Sequence, residues 1–509
     1  MENRKRFFYN GIMLTAVGIA MRTVALFFNA FVTQKIGAEG MGLYTIVMTV
    51  YGFAVTFATS GISLTVTRLV ASAKGEGREE DTRSILLGAI LYALAFSLLA
   101  TLVLFFGSSV IAVKILDDVR AERALKILAP SLIPLSLVSV FSGYFVGVRR
   151  VSCNAITQVL GQIFKICATV WLVIRAMPMD VERAALSLSL GTTVTEILAF
   201  CVIFVEFIID RRKSGDDKRG SADVRSVASM AVPLGISAYI RQALLTLEHI
   251  LIPKRLRARG DSLSESLSAY GTLHGMALPM ILYPMVTLSS FAGLLVPEFA
   301  ERSAANDGDG MRRIASRAFG VTLVYATLAS SVLYIFSEEL GYVIYNSSDA
   351  GKYIAVLAPV IPIMYLDHVT DSVLKGIGEH VYSMWVNITD SLLSVALVWI
   401  LIPKMGIMGY AVCIIAMEAY NFILSALRLF KRIKFKISLV ETLLLPLISA
   451  IVSSLFVREL FIRAGKQTSP LWLVLEIVFS VCIFAGVYRI LILSRDIIKQ
   501  KRNVEKCNL

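Results

Sequence analysis

The chain contains a long series of apolar segments, each about 20 residues long and separated from the next by a short polar stretch. A helix of that length crosses the roughly 30 Å of hydrocarbon in a bilayer. Hydrophobic residues make up 56% of the 509 residues and charged residues only 17%, against about 25% in soluble domains. The sequence therefore predicts an all-α, polytopic membrane protein, since helices satisfy their own backbone hydrogen bonds inside lipid.

We predict fourteen transmembrane helices from this pattern. Their boundaries are 10–33, 43–66, 84–106, 127–148, 155–175, 185–209, 228–252, 267–293, 314–335, 353–374, 382–402, 406–428, 439–457 and 470–493. Lysine and arginine concentrate in the N-terminal tail and in alternate loops, which predicts that both termini are cytoplasmic. One basic group falls on the opposite side, either by chance or as a cationic rim at an outer mouth; it contains Lys254, Arg255, Arg257 and Arg259. The first residues, MENRKRF, lead into a full-length span without a cleavage site, so no removable signal is expected.

The two halves of the chain resemble each other at a nearly constant spacing. LAP at 128–130 recurs at 357–359, Gly147 corresponds to Gly376, and Glu196 corresponds to Glu418. Because the repeat unit holds six spans, both halves keep the same orientation in the membrane. The predicted organisation is an N-terminal six-helix lobe (1–209), a cytoplasmic linker (210–227), a second six-helix lobe in parallel repeat (228–430), and an appended segment with helices 13 and 14 (431–509).

Several charged residues lie within predicted spans, where a central arginine costs about 2.5–3.5 kcal/mol on insertion scales. Such residues face a cavity or a partner rather than lipid, and the planar guanidinium fits phosphate oxygens. The candidate substrate-binding residues are Arg22, Arg241, Lys165, His274 and Glu248. The alternative is a set of structural ion pairs. Arg241 and Glu248, for example, are seven residues apart on one helix face and could cover each other's charge.

Four carboxylates within spans are candidates for ion coupling. Glu196 and Glu418 occupy matched positions in the two halves, which favours either a shared structural role or a cation site; Asp367 and Asp390 are further candidates. The sequence has no GxxxxGK[ST] run for ATP, so energy would come from Na⁺, H⁺ or the membrane potential. No cofactor is expected, and the scattered cysteines and histidines predict neither a disulfide framework nor a metal site.

Five segments carry a resemblance to a known family. They are IGAEGMGLYTIV at 36–47, SGISLTVTRLVA at 60–71, LIPKRL at 251–256, YGTLHGMALPMILYP at 270–284 and LLVPEFAE at 294–301. With them the chain resembles the multidrug/oligosaccharidyl-lipid/polysaccharide exporter superfamily, in its stage V sporulation protein B-like polysaccharide-flippase branch. The resemblance implies a bacterial cytoplasmic-membrane flippase that moves a lipid-linked saccharide diphosphate by alternating access, with cell-wall synthesis proteins as partners.

The arginine pattern of related lipid II flippases is only partly present. Those relatives carry two arginines six residues apart in the first span, and another five residues before a proline in span 8. Arg22 matches the first, whereas Phe28 and His274 stand at the other two positions. The resemblance therefore implies the substrate class and not lipid II itself.

Three other functions compete with a flippase. A drug/cation antiporter of the same superfamily would usually have twelve spans and an acidic cavity. A polytopic glycan-processing enzyme would need a carboxylate or histidine constellation in a sizeable external loop, and the external loops are short. The net charge of +13 could suggest nucleic acid, but cytoplasmic loops explain it and there is no soluble basic domain. We expect no nucleic-acid partner.

Overall fold

The computed structural model describes residues 2–59, 61–76, 81–175, 180–214, 223–465 and 469–507. Within those ranges it is helical, with no strand, so the predicted all-α polytopic fold class is confirmed. The chain forms two compact units. The first contains Met1–Gly271 and Val395–Ile407, and the second contains Thr272–Ser394 and Met408–Leu509. Part of the predicted linker, 215–222, lies outside the described residues.

Nineteen α-helices follow one another along the described chain. The first nine are α1 (Glu2–Thr59), α2 (Ile62–Gly75), α3 (Asp81–Val110), α4 (Ala121–Leu128), α5 (Leu132–Gly147), α6 (Val151–Arg175), α7 (Val181–Ser214), α8 (Val224–Arg259) and α9 (Leu263–Tyr270). The others are α10 (Leu278–Leu282), α11 (Met285–Ala304), α12 (Gly308–Ile335), α13 (Ser337–Tyr345), α14 (Ser348–Leu357), α15 (Ile361–Gly376), α16 (His380–Met405), α17 (Ile407–Arg432), α18 (Leu445–Arg463) and α19 (Pro470–Cys507). Three π-helical segments connect some of them: Ile111–Leu116, Gly271–Ala277 and Val440–Leu444.

Twelve helices of the described chain are long and apolar enough to cross a membrane. A thirteenth is added if the bent pair Leu263–Leu282 and Met285–Ala304 forms one span. The stretch Ala20–Gly75 counts as one of the twelve, although it overlaps two predicted spans, 10–33 and 43–66. The described helices therefore give twelve or thirteen candidate spans, and the predicted fourteen is reached only if this stretch is counted as two and the bent pair as one.

The chain turns back within α1 at Gly37, which has φ 73° and ψ 176°. Phe28 and Tyr44 both pack against the small buried cluster that contains Val32. Sixteen residues of straight helix would separate them by about 24 Å, so their shared contact requires a reversal. Glycine suits this position because a positive φ strains other residues.

The same local contacts occur in both halves of the chain. Thr101 Oγ1 donates to the Ala129 carbonyl oxygen at 3.1 Å, and Ser330 Oγ donates to the Ala358 carbonyl oxygen at 2.8 Å. A 3₁₀ turn begins at each of these carbonyls, Ala129–Ser131 and Ala358–Val360. Each turn contains a proline, and its first carbonyl accepts both a backbone N–H and a hydroxyl from a neighbouring helix.

Two matched glycines allow close helix packing. A Cβ added at Gly147 would lie 3.0 Å from the Val70 Cβ. A Cβ added at Gly376 would lie 2.8 Å from both the Phe299 Cβ and the Val296 carbonyl oxygen. The same helix–helix contact is therefore made in each half, by α2 against α5 and by α11 against α15.

An ion pair also recurs, with its charges exchanged. Arg150 pairs with Asp210, which also accepts a bond from the Tyr144 hydroxyl at 2.8 Å. At the spacing of the repeat, the corresponding residues are Glu379 and Arg432, which form an ion pair of opposite polarity. These matched contacts support the predicted lobes, whose boundaries stay a prediction.

Candidate functional site

The two arginines that the sequence singles out are both exposed and both belong to the first unit. Arg22 lies on the first part of α1, and Arg241 lies in the middle of α8. Glu248, two turns further along α8, is only 7% exposed. Arg241 and Glu248 therefore differ in exposure.

The packing of α8 against the second part of α1 indicates the level of Arg241. The Tyr239 hydroxyl donates to the Phe57 carbonyl oxygen at 3.4 Å, and Thr246 Oγ1 donates to the Thr49 carbonyl oxygen at 3.5 Å. The two segments therefore run antiparallel. Between these contacts, a Cβ at Gly52 would lie 3.5 Å from Gln242 Nε2. Arg241 is thus near the level of Gly52.

Arg22 lies at a comparable distance from the turn at Gly37. It precedes Gly37 by fifteen residues, and Gly52 follows Gly37 by fifteen residues. At 1.5 Å per residue each separation is about 22 Å. Because the chain reverses at Gly37, Arg22 and Arg241 lie at similar depth along the first unit.

The third basic candidate, Lys165, has an acidic neighbour. Lys165 on α6 lies within electrostatic range of Glu196 on α7. Glu196 also lies within range of the Tyr51 phenol, whose oxygen is 2.6 Å from Ser131 Oγ. The structure therefore brings together a predicted substrate-binding residue and a predicted ion-coupling residue.

Glu248 and His274 occupy different units. Glu248 lies within electrostatic range of the buried Tyr270, whose hydroxyl is 3.2 Å from His249 Nδ1. His274 lies in the π-helical segment Gly271–Ala277, in the second unit. Of the five predicted substrate-binding residues, four therefore belong to the first unit.

The other three predicted ion-coupling residues form an acidic group in the second unit. Glu418 on α17 lies within electrostatic range of Asp367 on α15 and Asp390 on α16, and Asp367 lies within range of Asp390. Among the described residues, the buried Asp367 Oδ1 has no hydrogen-bond partner. Asp371, one turn from Asp367, is paired with Lys375 at 2.5 Å.

The matched glutamates therefore have unlike surroundings. Glu196 has a lysine beside it, whereas Glu418 has two further carboxylates. Within the described ranges, no three His, Cys, Asp or Glu side chains are placed to hold a metal ion.

Sequence reasoning missed a layer of polar side chains beside the acidic group. The Tyr420 hydroxyl donates to Thr389 Oγ1 at 3.1 Å, and Asn421 Nδ2 donates to Asn387 Oδ1 at 3.4 Å. These residues link α16 to α17 next to Asp390 and Glu418. Their signal in the sequence is a polar residue inside an apolar span, which is common enough to be overlooked.

The basic group at the end of α8 is held by specific contacts. Arg257 pairs with the Asp117 carboxylate, and Lys254 Nζ donates to the Lys114 carbonyl oxygen at 3.2 Å. The Arg255 guanidinium lies 3.8 Å from the centre of the Trp399 ring. At least three of the four basic residues are therefore engaged with the first unit.

A second ion-pair cluster lies beside this one. Arg120 Nη1 donates to Glu39 Oε1 at 2.8 Å, and Arg120 Nη2 donates to Asp118 Oδ2 at 2.9 Å. Ser264 Oγ donates to Glu39 Oε2 at 2.6 Å. We call the two clusters together the latch. The latch contains Glu39, Asp117, Asp118, Arg120, Lys254, Arg257 and Ser264. It joins the turn after Gly37 and the segment before α4 to helices α8 and α9.

Comparisons of sequence identify the family. The model described as polysaccharide biosynthesis protein matches residues 7–303, more than half of the chain, and the MatE model matches residues 264–400. The chain is 26% identical to stage V sporulation protein B of Bacillus subtilis (strain 168) over 425 residues, which cover 81% of each protein. It is 20% identical to sporulation protein YkvU of the same organism over 397 residues, 75% of this chain and 87% of that one.

Comparisons of structure give the same fold. The lipid II flippase MurJ in an inward closed conformation matches with a TM-score of 0.72 and 14% identity, covering 96% of this chain and all of that one. An inward-facing multidrug resistance MATE family transporter of the MOP superfamily matches with a TM-score of 0.64 and 13% identity, covering 82% and 98%. The structural matches show a shared fold, and the sequence match over more than half of its length shows that the chain belongs to the polysaccharide biosynthesis protein family.

Proposed function

We propose that this protein translocates a lipid-linked saccharide across the cytoplasmic membrane by alternating access. Arg22 and Arg241 bind the diphosphate of the substrate, with Lys165 and Glu248 of the same unit as further contacts. The lipid chain stays in the bilayer while the polar head crosses. A related protein is named as a lipid II flippase, but Phe28 and His274 replace two arginines of that pattern, so we propose a different saccharide of the same class.

The observation that carries this proposal is the placement of Arg22 and Arg241. Both are exposed, both lie within membrane-spanning helices, and both lie at similar depth in the first unit. A guanidinium at that depth is stabilised by an anion, since its charge is costly in lipid. A diphosphate offers several oxygens to two planar donors, and such charge-assisted bonds are strong.

The ion pairs of the latch would act during alternating access. Its ion pairs hold α8 and α9 against the segments around Glu39 and Asp117. We propose that these contacts close the outer side while the substrate enters from the cytoplasm. They would break when the protein opens outward.

Ion coupling would use the carboxylates. Asp367, Asp390 and Glu418 bring three carboxyl groups together at membrane depth, and binding of Na⁺ or H⁺ would relieve the repulsion between any that are ionised. Substrate binding at Lys165 would change the interaction of this lysine with the neighbouring Glu196. Two relatives are named for sporulation, and we also propose that cell-wall synthesis proteins act with this transporter.

The central experiment measures flipping in vesicles. Purified protein is reconstituted with a fluorescent lipid-linked disaccharide diphosphate, and a membrane-impermeant quencher reports the rate of translocation. We expect Arg22→Ala and Arg241→Ala each to slow flipping by about 10- to 100-fold, the value of losing a charged hydrogen bond. Arg22→Lys keeps the charge but loses the planar fork, so it should retain part of the rate.

Arg489→Ala is the matched control, because Arg489 is also an exposed arginine within a span, on α19. It should flip at the wild-type rate. If Arg22→Ala and Arg241→Ala both insert normally and flip as fast as this control, the arginines do not bind the substrate.

The second candidate function is drug/cation antiport, which the acidic group in the second unit favours. Cationic drugs would bind beside Asp367, Asp390 and Glu418. A transport assay with a fluorescent cation separates the two functions. Uptake that depends on Glu418 and not on Arg22 would support the antiporter.

A further inference from the structure

The first unit has a cavity of about 420 Å³ between α1, α3, the π-helical segment Ile111–Leu116 and α8. It is partly open, since the lining residues Leu99, Val103 and Ile115 are 51%, 61% and 41% exposed. Eleven of its twelve lining residues have hydrocarbon side chains. The exception is Thr246, whose hydroxyl donates a hydrogen bond to the Thr49 carbonyl oxygen. The cavity exists because Ala54 and Ala100, which are 9% and 5% exposed, stand among phenylalanine, leucine and isoleucine side chains.

A partly open cavity of this size and chemistry favours an apolar occupant. Its wall atoms gain dispersion contacts only when the space is filled. Water is not retained where the walls offer no free polar partner. The volume lies within the range of ligand pockets, about 300–1,000 Å³. Inside a membrane-spanning unit, the available apolar occupant is a hydrocarbon chain.

Two lysines mark one end of the cavity. Lys114 lies between the lining residues Ile111 and Ile115, and Lys254 follows the lining residue Ile250 by one turn of α8. Lys254 Nζ donates to the Lys114 carbonyl oxygen at 3.2 Å, so both side chains belong to the same end. The nearby Asp117 is already paired with Arg257. The end of the cavity is therefore cationic and complements an anionic headgroup.

We propose that this cavity binds one acyl chain of an anionic glycerophospholipid, whose phosphate lies against Lys114 and Lys254. Its walls come from both halves of the repeat, α1 and α3 from the first and α8 from the second. The bound lipid therefore stabilises the arrangement in which α8 packs against α1 and α3. This site is separate from the proposed diphosphate site and does not depend on the saccharide that is carried.

The test measures lipid retention by the purified full-length protein. Native mass spectrometry counts lipids that remain after exchange into detergent supplemented with phosphatidylglycerol or phosphatidylcholine of equal chain length. We expect one tightly bound phosphatidylglycerol, held about 10- to 30-fold more tightly than phosphatidylcholine because each surface lysine attracts an anionic lipid. Bound lipid should also raise the melting temperature.

Two kinds of variant distinguish binding of the acyl chain from recognition of the lipid headgroup. Ala100→Phe and the milder Ala54→Leu fill the cavity and should remove the tightly bound lipid of either headgroup. The double variant Lys114→Gln with Lys254→Gln should lose the preference for phosphatidylglycerol, while the acyl chain of the lipid still binds in the cavity. Ala95→Phe, at an exposed position of α3 outside the lining, and Lys352→Gln, on the second unit, are matched controls and should bind as the wild type does.

Retention that is equal in all the variants would overturn the proposal, since the lipid would then be bound elsewhere. Only variants that elute and melt cooperatively are scored. If Ala100→Phe and Ala54→Leu both misfold, the double variant Lys114→Gln with Lys254→Gln tests the proposal, because its preference for phosphatidylglycerol over phosphatidylcholine is still measured.

A third experiment adds undecaprenyl phosphate. If that lipid displaces phosphatidylglycerol one for one at lower concentration, the occupant is a polyprenyl chain and the phospholipid assignment is wrong.

Discussion

At the scale of single residues, ionisation of Glu379 is tied to stability. Its carboxylate accepts from Arg428 Nη2 at 2.8 Å and from Arg432 Nε at 2.5 Å. The Arg428 guanidinium, and after it Arg432, holds the pKa of this carboxyl below its usual value of 4.5. Because the folded state favours the ionised form, the contribution is complete above the unfolded pKa and is lost as the pH falls through the folded pKa.

We therefore expect Glu379→Gln to lower the melting temperature at pH 7 and to have little effect near pH 3. The difference in unfolding free energy should be under about 1 kcal/mol, since the pair is close to the surface. Thermal unfolding in detergent from pH 7 to pH 3 measures it. Glu338→Gln, at an exposed glutamate of α13, is the control. A difference that persists at pH 3 would mean that packing, not charge, is responsible.

At the scale of elements, the matched glycines limit how closely helices approach. At Gly376 an added methyl would overlap Phe299 and the backbone of Val296 on α11. We expect Gly376→Ala to lower the unfolding free energy by about 1–3 kcal/mol, the usual cost of overpacking. At Gly293 on the same helix α11, no atom of the described residues lies within 4 Å of an added Cβ.

Gly293→Ala is the control and should be neutral or stabilising by up to about 1 kcal/mol, because alanine favours helix. Both variants are compared by thermal unfolding of the purified protein. Equal melting temperatures for the two variants would show that the α11–α15 contact is looser than the structure indicates.

At the scale of the whole molecule, the orientation in the membrane is a prediction from the charge pattern. Single cysteines are placed at the exposed positions Ala305 and Ser348, in a background whose native cysteines are replaced. An impermeant maleimide should label Ser348→Cys in intact cells, and should label Ala305→Cys only after permeabilisation, because alternate loops lie on opposite sides. The reverse pattern at both positions would place the termini outside.

The sequence by itself determined the membrane-spanning helices, the internal repeat and the membrane arginines. Each depends on local properties: the length of an apolar run, the spacing of a repeated motif, or the cost of one charge in lipid. A turn between two spans was likewise implied by the polar stretch around Gly37. These features could be read from residues close together in the chain.

Only the tertiary structure decided which distant residues meet. Lys165 and Glu196 are neighbours because α6 packs on α7, and the latch joins Glu39 to Arg120 and Ser264 across long stretches of chain. The cavity between Ala54 and Ala100 depends on how α1, α3 and α8 pack together. Apolar helices can pack in many ways that look alike in sequence, since small residues and side-chain shape, rather than hydrophobicity, determine helix contacts in a membrane.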